Sequence, residues 1–307
     1  MALHKPKVLL TRKIPSAAFN RLQSACDVDL HDGSTAIDPD ELKRRVADKE
    51  GLICLLTDRI DGSVVDAAPQ LKVVANVAVG YDNIDVPEVT SRGVIVTNTP
   101  DVLTDATAEL TWALLLALAR RIGEGERLIR RGRWTGWALD FMLGTELRGK
   151  QLGIIGRGRI GRAVAAKAPA FGMTAVFAKH DMSLDELLVS SDVISLHTPG
   201  GPDTRHLINR RTLARMKRTA FLVNTARGSV VDEDALVWAL NEHLIAGAAL
   251  DVYEKEPSVH PGLLGLETVV LVPHLGSATR ETRTAMADLA VRNVIAVLSG
   301  ESPLTPV

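Results

Sequence analysis

Gln151-Leu152-Gly153-Ile154-Ile155-Gly156-Arg157-Gly158-Arg159-Ile160-Gly161 decides the fold of this chain. Its first five residues are an apolar, strand-like run, and the glycines open onto a helical pattern, Ile160–Ala170. Gly156 permits a tight turn, Gly158 lets the backbone approach a pyrophosphate, and Gly161 lets the helix pack close to the strand. Arg157, Arg159 and Ile160 fall at the helix N-terminus, whose free N–H groups suit an anion. Gly-x-Gly-x-x-Gly means little alone. Between a strand and a helix it reads as a dinucleotide-binding turn rather than a plain loop.

Outward from this turn, short β-branched runs alternate with helical patterns. Upstream lie Lys7–Leu10, Val28–Leu30, Gly51–Leu56, Lys72–Asn76 and Val94–Val96, with amphipathic stretches Pro15–Ser24 and Pro39–Ala47 among them. Asp38 as N-cap and Pro39 at the first helical position open the second of these. Downstream lie Met173–Phe177, Val193–Leu196, Phe221–Asn224, Ala246–Leu250 and Val269–Val272, separated by helical patterns Ser183–Ser190, Asn209–Met216 and Asp232–Glu242. Runs of this kind are strands buried on both faces, so the fold class is α/β with two doubly wound parallel-sheet lobes. A long helix, Ala106 to about Ile129, separates the two series, and a last helix, Arg280–Leu298, returns to the first lobe.

Composition excludes several classes. The 307 residues carry 36 Lys plus Arg against 37 Asp plus Glu, a net charge of -1 that attracts neither nucleic acid nor an anionic membrane. Arg120, Arg121, Arg127, Arg130, Arg131 and Arg133 read as a solvated helix face. Cys26 and Cys54 form no disulfide framework or thiolate metal site, no metal is expected, and a reducing cytoplasm is the natural compartment. The first ten residues lack a signal-peptide core. The longest apolar run, Trp112–Ala119, is far short of the ~20 residues that span a bilayer.

About 20 residues beyond the glycine turn, an NAD site of this type places an acid at the end of the second strand. Here Lys179 and His180 stand there, and the nearest acid is Asp181. A lysine attracts a 2′-phosphate that a carboxylate repels, so NADP is preferred and NAD remains possible. Later strand ends carry Arg227, Glu256 and His274. Singly these read as a surface charge, a turn acid and a loop histidine. Together, behind a dinucleotide turn, they supply what reduction of a 2-oxo acid needs: a cation for the carboxylate, a proton donor for the carbonyl oxygen, and an acid that orients the donor.

With these residues in view, the chain resembles the D-isomer-specific 2-hydroxyacid dehydrogenase family over nearly its whole length. The motifs are Asn76–Asp85 (NVAVGYDNID), Thr107–Leu110 (TAEL), the Gly156–Gly161 turn, Asn224–Gly228 (NTARG), Gly247–Val252 (GAALDV) with Glu256-Pro257, and Pro273–Ser277 (PHLGS). Gly276–Thr279 (GSAT) looks most like glyoxylate/hydroxypyruvate reductases.

The resemblance implies a Rossmann-type nucleotide domain, 101–280, inserted in a flavodoxin-like substrate domain, 1–100 and 281–307. Arg227 would grip the substrate carboxylate, His274 would protonate the carbonyl oxygen, and Glu256 would favour the His274 imidazolium. Val79 and Gly80 would offer N–H groups to the carboxylate. Asp251 would meet the nicotinamide end, with Thr107, Thr225, Ala226, Gly276 and Ser277 near it. A homodimer is expected, with Trp112–Ala119 and the Trp134/Trp137 segment as candidate contacts.

Two departures stand out. Only Ala178–Met182 separate the second strand from the next helix, roughly a dozen residues fewer than the family usually has, too few for a loop and a further strand. One strand fewer and a more open adenosine pocket follow. Pro199-Gly200-Gly201-Pro202 is also richer in glycine than usual. The leading reading is an NADP(H)-preferring glyoxylate/hydroxypyruvate reductase. The alternatives are an NAD-dependent dehydrogenase for phosphoglycerate, D-lactate or another 2-hydroxy acid, and a non-catalytic dinucleotide-sensing scaffold.

Overall fold

Strands buried on both faces need helices over them, and parallel pairing needs a crossover between each pair. The structure, a computed structural model describing residues 5–307, has two sheets of this kind. The first is built from β1 (Lys7–Leu10), α1 (Ser16–Ala25), β2 (Asp27–Leu30), α2 (Pro39–Val46), β3 (Gly51–Cys54), α3 (Gly62–Asp66), β4 (Val73–Asn76), α4 (Val86–Ser91) and β5 (Ile95–Thr97). Its order is β2-β1-β3-β4-β5, every pair parallel, the flavodoxin-like arrangement.

The chain continues through α5 (Thr104–Ala119), α6 (Ile122–Arg130), β6 (Gln151–Ile155), α7 (Arg159–Lys167), β7 (Thr174–Phe177), α8 (Leu184–Ser190) and β8 (Val193–Leu196). Then come α9 (Arg210–Leu213), β9 (Phe221–Asn224), α10 (Glu233–Asn241), β10 (Gly247–Leu250), α11 (Pro261–Leu264), β11 (Val269–Leu271) and α12 (Arg280–Leu298). The second sheet runs β11-β10-β9-β8-β6-β7, again all parallel. Described residues up to Leu103 together with Ala278–Val307 form one unit, and Thr104–Ser277 the other. Within the first, α12 buries Ala287, Ala290, Val291 and Val294 against Val8, Leu22, Ile53 and Val73.

The strands stand where the apolar runs place them. The helices differ more. The long pattern from Ala106 to about Ile129 is two helices, because Arg121 turns left-handed (φ 54°) and the Ala119 carbonyl accepts from Thr145 N–H at 2.7 Å instead of from a further helical turn. The expected helix Asn209–Met216 closes early, at Leu213. The helices α3, α4 and α11 are too short to show periodicity; side chains of Asp61, Asp85 and His260 cap them.

After β7 the chain makes a tight turn, with Asp181 N–H donating to Phe177 O (3.0 Å) and Lys179 N–H to Met182 O (2.8 Å). No strand intervenes before α8, so β7 is the sheet edge, as the shortened segment requires. The Phe177 N–H, on the open side of the strand, donates to the Asp181 carboxylate at 2.8 Å. A charge on an edge donor blunts further pairing.

The Trp112–Ala119 run is not an exposed contact face. Trp112, Leu114, Leu115, Leu118 and Ala119 are buried, and they pack on Leu152, Ile154, Val164 and Val223 within the second unit. Trp112 stacks on Phe171 (centroids 4.4 Å apart) and its indole N–H donates to Val164 O at 3.1 Å. Trp112→Ala is expected to cost about 3–5 kcal/mol in urea unfolding, from lost burial and the cavity left behind; a loss under about 1 kcal/mol would contradict this packing.

Candidate active site

The glycine turn follows β6. Gly156 is left-handed (φ 107°), and a side chain there would collide with the His197 carbonyl 2.3 Å away. A Cβ on Gly161 would lie 2.0 Å from Gly156 O, so the first turn of α7 sits directly on the loop. Gly158 is the N-cap of α7, exposed, with nothing within 4 Å of where a Cβ would be. A backbone turn with open space above it, at the head of a helix, fits a dinucleotide pyrophosphate.

Beyond the neighbouring strands stand the three candidate side chains. β9 ends at Asn224, whose side chain accepts from Ala226 N–H (3.0 Å) and donates to Arg227 O (2.9 Å), fixing the turn that carries Arg227. The Arg227 guanidinium also donates to Ala226 O at 2.8 Å. Glu256 and His274 follow β10 and β11. Glu256 Oε2 lies 2.9 Å from His274 Nδ1, and Glu256 Oε1 accepts from Tyr253 N–H at 3.0 Å. Burial alone would raise the Glu256 pKa. The His274 hydrogen bond and charge, the Tyr253 N–H and the Arg227 charge outweigh it and hold the carboxylate below its usual range. With Nδ1 on Glu256, His274 keeps Nε2 for another partner.

His274 is itself left-handed (φ 53°) and its N–H donates to Asp251 O at 2.9 Å. The buried Asp251 carboxylate accepts from the N–H groups of Leu275 and Gly276, and Thr107 donates to Gly276 O at 3.1 Å. Thr225, Oγ to Oγ 2.9 Å from Thr111, completes this wall. Ala226 and Ser277 adjoin it in sequence and are partly buried.

Past the end of β7, Lys179 is exposed and left-handed (φ 62°). Asp181 is engaged by Phe177 N–H and by His180 Nδ1 (2.8 Å), and both hydrogen bonds and the His180 charge hold its pKa down. The Arg157 guanidinium lies over the Phe177 ring, 5.6 Å from its centroid. A groove of about 540 Å³ runs along this flank, lined by Arg157, Arg162, Pro169, Met173 and Phe177 among others.

In the first unit, Val79 and Gly80 follow β4. Asn98 donates to Val79 O (2.8 Å) and Asn76 to Gly80 O (2.9 Å). Asn76 also reaches Asn83, which donates to Leu55 O and Asp58 O.

A sequence profile described as "D-isomer specific 2-hydroxyacid dehydrogenase, NAD binding domain" matches residues 112–276. A glyoxylate reductase of Thermofilum pendens is 49% identical over 317 residues, 97% of this chain and 93% of that protein. A Thermus thermophilus protein of solved structure superposes with TM-score 0.94 at 47% identity, covering 98% of this chain and 99% of that one. An NADPH-dependent glyoxylate/hydroxypyruvate reductase of Sinorhizobium meliloti, solved with NADP and malonate, has TM-score 0.88 at 35% identity, covering 99% and 97%. This chain belongs to the D-isomer-specific 2-hydroxyacid dehydrogenases.

As a member of that family it is an oxidoreductase that uses a nicotinamide dinucleotide on small 2-oxo or 2-hydroxy acids. Among the described residues no helix is long and apolar enough to cross a membrane, and no group of three or more His, Cys, Asp or Glu could hold a metal ion. Sequence reasoning gave no separate role to several residues that hold the candidate segments in place. Asn76, Asn83 and Asn98 tie down the Val79-Gly80 loop of the first unit; Asn76 and Asn83 lie inside the Asn76–Asp85 motif, which was their only signal. Thr111, one turn after Thr107, was a second. His197 was missed altogether. It follows β8, contacts the glycine turn through its main chain, and shares a 2.8 Å hydrogen bond with Ser195 through Nε2.

His197 Nδ1 is buried without a partner, and burial pushes the imidazole pKa down to about 3. An unfolded histidine binds a proton below about pH 6.5, whereas the folded one stays neutral. Stability is therefore full above that pH and falls as pH drops towards 3, by at most about 1.4 kcal/mol per unit. Urea titrations at about pH 7 and about pH 5 should show a loss of roughly 2 kcal/mol from this residue, absent in His197→Asn. Identical pH dependence in both proteins would refute it.

Proposed function

We propose that this dehydrogenase is an NADP(H)-preferring reductase of glyoxylate and hydroxypyruvate. The observation that carries the reading is the His274–Glu256 pair, 2.9 Å apart, on the strand-end loops of the nucleotide unit, with the Arg227 charge acting on the same carboxylate. The bound nicotinamide supplies the hydride. Arg227 holds the substrate carboxylate and polarises the carbonyl. His274 donates a proton through Nε2 to the carbonyl oxygen as the alkoxide develops. Glu256, ionised, holds the ring in that orientation. The names of the relatives support glyoxylate and hydroxypyruvate as first substrates.

NADP preference is supported by Lys179, with Arg157 on the same flank and Asp181 turned to the strand edge. The blunt edge of β7 leaves the adenosine side more open than a further strand would. A homodimer is supported by apolar side chains left in water: Trp134 (55% exposed), Trp137 (80%), Leu139 (82%) and Leu143 (65%), with Ile122 and Ile129 nearby in sequence. Two unpaired, buried cysteines support a reducing, cytoplasmic setting.

Steady-state assays with glyoxylate and hydroxypyruvate against NADPH and NADH test the proposal. His274→Asn and Glu256→Gln should each lower kcat/KM by about 100-fold or more without loss of cofactor binding. Wild-type binding of cofactor with no turnover of any small 2-oxo acid would put a sensing scaffold in its place. Lys179→Asp should move the NADPH/NADH ratio of kcat/KM towards NADH by about 10-fold or more, since each tenfold needs only about 1.4 kcal/mol. A ratio that stays put removes Lys179 from cofactor choice.

A further inference from the structure

Three turns of the nucleotide unit meet at one side chain that the reaction itself does not use. Glu254 lies two residues before Glu256 and is mostly buried, its side chain 17% exposed. Its Oε1 is 2.6 Å from His206 Nε2, and Arg205 Nη2 donates to the same oxygen at 3.5 Å. Its backbone N–H donates to the buried carboxylate of Glu233, at the start of α10, at 2.9 Å. The charged groups facing Glu254 are therefore His206, Arg205 and Glu233, with Lys255 adjacent in the chain.

His206 connects the other way. It is left-handed (φ 49°), its N–H donates to Ser229 O at 2.8 Å, and its carbonyl accepts from the Asn209 side chain at 2.8 Å. Ser229 belongs to the turn that carries Arg227. That turn already presses on the Glu256 loop: a Cβ on Gly228 would fall 1.9 Å from the Tyr253 carbonyl carbon and 2.4 Å from Glu254 N. The 201–206 segment is anchored too, with Arg205 N–H donating to Gly201 O at 2.9 Å and Thr204 Oγ1 to Pro199 O at 2.8 Å. One carboxylate thus joins the glycine-rich segment, the Arg227 turn and the Glu256 loop.

We propose that Glu254 is a positioning residue for the reduction: through His206 and Arg205 it clamps the loop carrying Glu256 against the turn carrying Arg227. Neither Glu254 nor His206 touches the reacting atoms. Releasing the clamp lets the 253–256 backbone shift, which lengthens the Tyr253 N–H bond to Glu256 and misaims the carboxylate at His274. Displacements of about 1 Å in such groups cost on the order of 100-fold in rate. The inference rests on the role given above to Glu256.

The test uses the full-length enzyme with NADPH and glyoxylate. Glu254→Ala should lower kcat/KM by about 10- to 100-fold and shift the pH profile of kcat/KM in the same direction as Glu256→Gln does, while the melting temperature and NADPH affinity change little. Glu254→Gln keeps an acceptor for His206 and should recover most of the loss. His206→Ala should repeat the Glu254→Ala phenotype, and the double variant should be no worse than either single, as members of one clamp behave. A Glu254→Ala enzyme with wild-type kcat/KM and pH profile overturns the proposal. So does a loss of equal size at every pH that follows the unfolded fraction, since that marks a merely structural residue. If Glu256→Gln itself leaves activity and pH profile untouched, the failure lies in the role of Glu256, and the two failures are told apart.

Discussion

The loop that carries His274 is held by one buried carboxylate. Asp251 immediately follows β10 and is 1% exposed. Its two oxygens take the amides of Leu275 and Gly276, and its main-chain oxygen takes the amide of His274. A carboxylate in apolar surroundings is costly unless its oxygens are filled, so the loop can relax only by stranding that charge. Burial raises the Asp251 pKa, and the two amides and the His274 charge oppose that rise. Gly276 belongs to the same constraint: a Cβ there would sit 3.2 Å from Asp251 Oδ2. His274 is thereby kept in a left-handed conformation that few side chains hold unaided.

Elsewhere in the nucleotide unit, rigidity comes from backbone meeting backbone. Gly156 against the His197 carbonyl, Gly161 against Gly156 O and Gly228 against Tyr253 are approaches no side chain permits. Gly156 and Gly228 stand just past β6 and β9, and Gly161 in the first turn of α7. The segments carrying Arg227 and Glu256 thus rest on fixed neighbours before any ligand arrives. Preorganisation of this kind spares the reorganisation that a looser site would need during the reaction.

At the end of β7, hydrogen bonds decide which side-chain charges stay unengaged. Asp181 is the nearest acid in the sequence, yet its carboxylate caps the Phe177 amide at the outer edge of β7 and pairs with His180. The same bond closes the sheet edge that the short segment leaves open. Edge protection and the charge at the strand end therefore trade on the same five residues, Ala178–Met182.

The amino-acid sequence by itself determined the two parallel sheets, because strands buried on both faces must be continuous apolar runs, and it determined the glycine turn, where the lack of a side chain is the signal. Arg227, Glu256 and His274 could be picked out as candidates for a similar reason, since each follows such a run within a motif. Tertiary structure alone decided the rest. The break at Arg121 depends on Thr145 capturing the Ala119 carbonyl, a contact between residues far apart in the chain. Trp112 is core because Phe171 stacks on it, whereas Trp137, equally apolar, is 80% exposed. Glu254, Asn98 and His197 carry no local pattern, because the hydrogen bonds and backbone contacts they make exist only once distant strand ends are side by side.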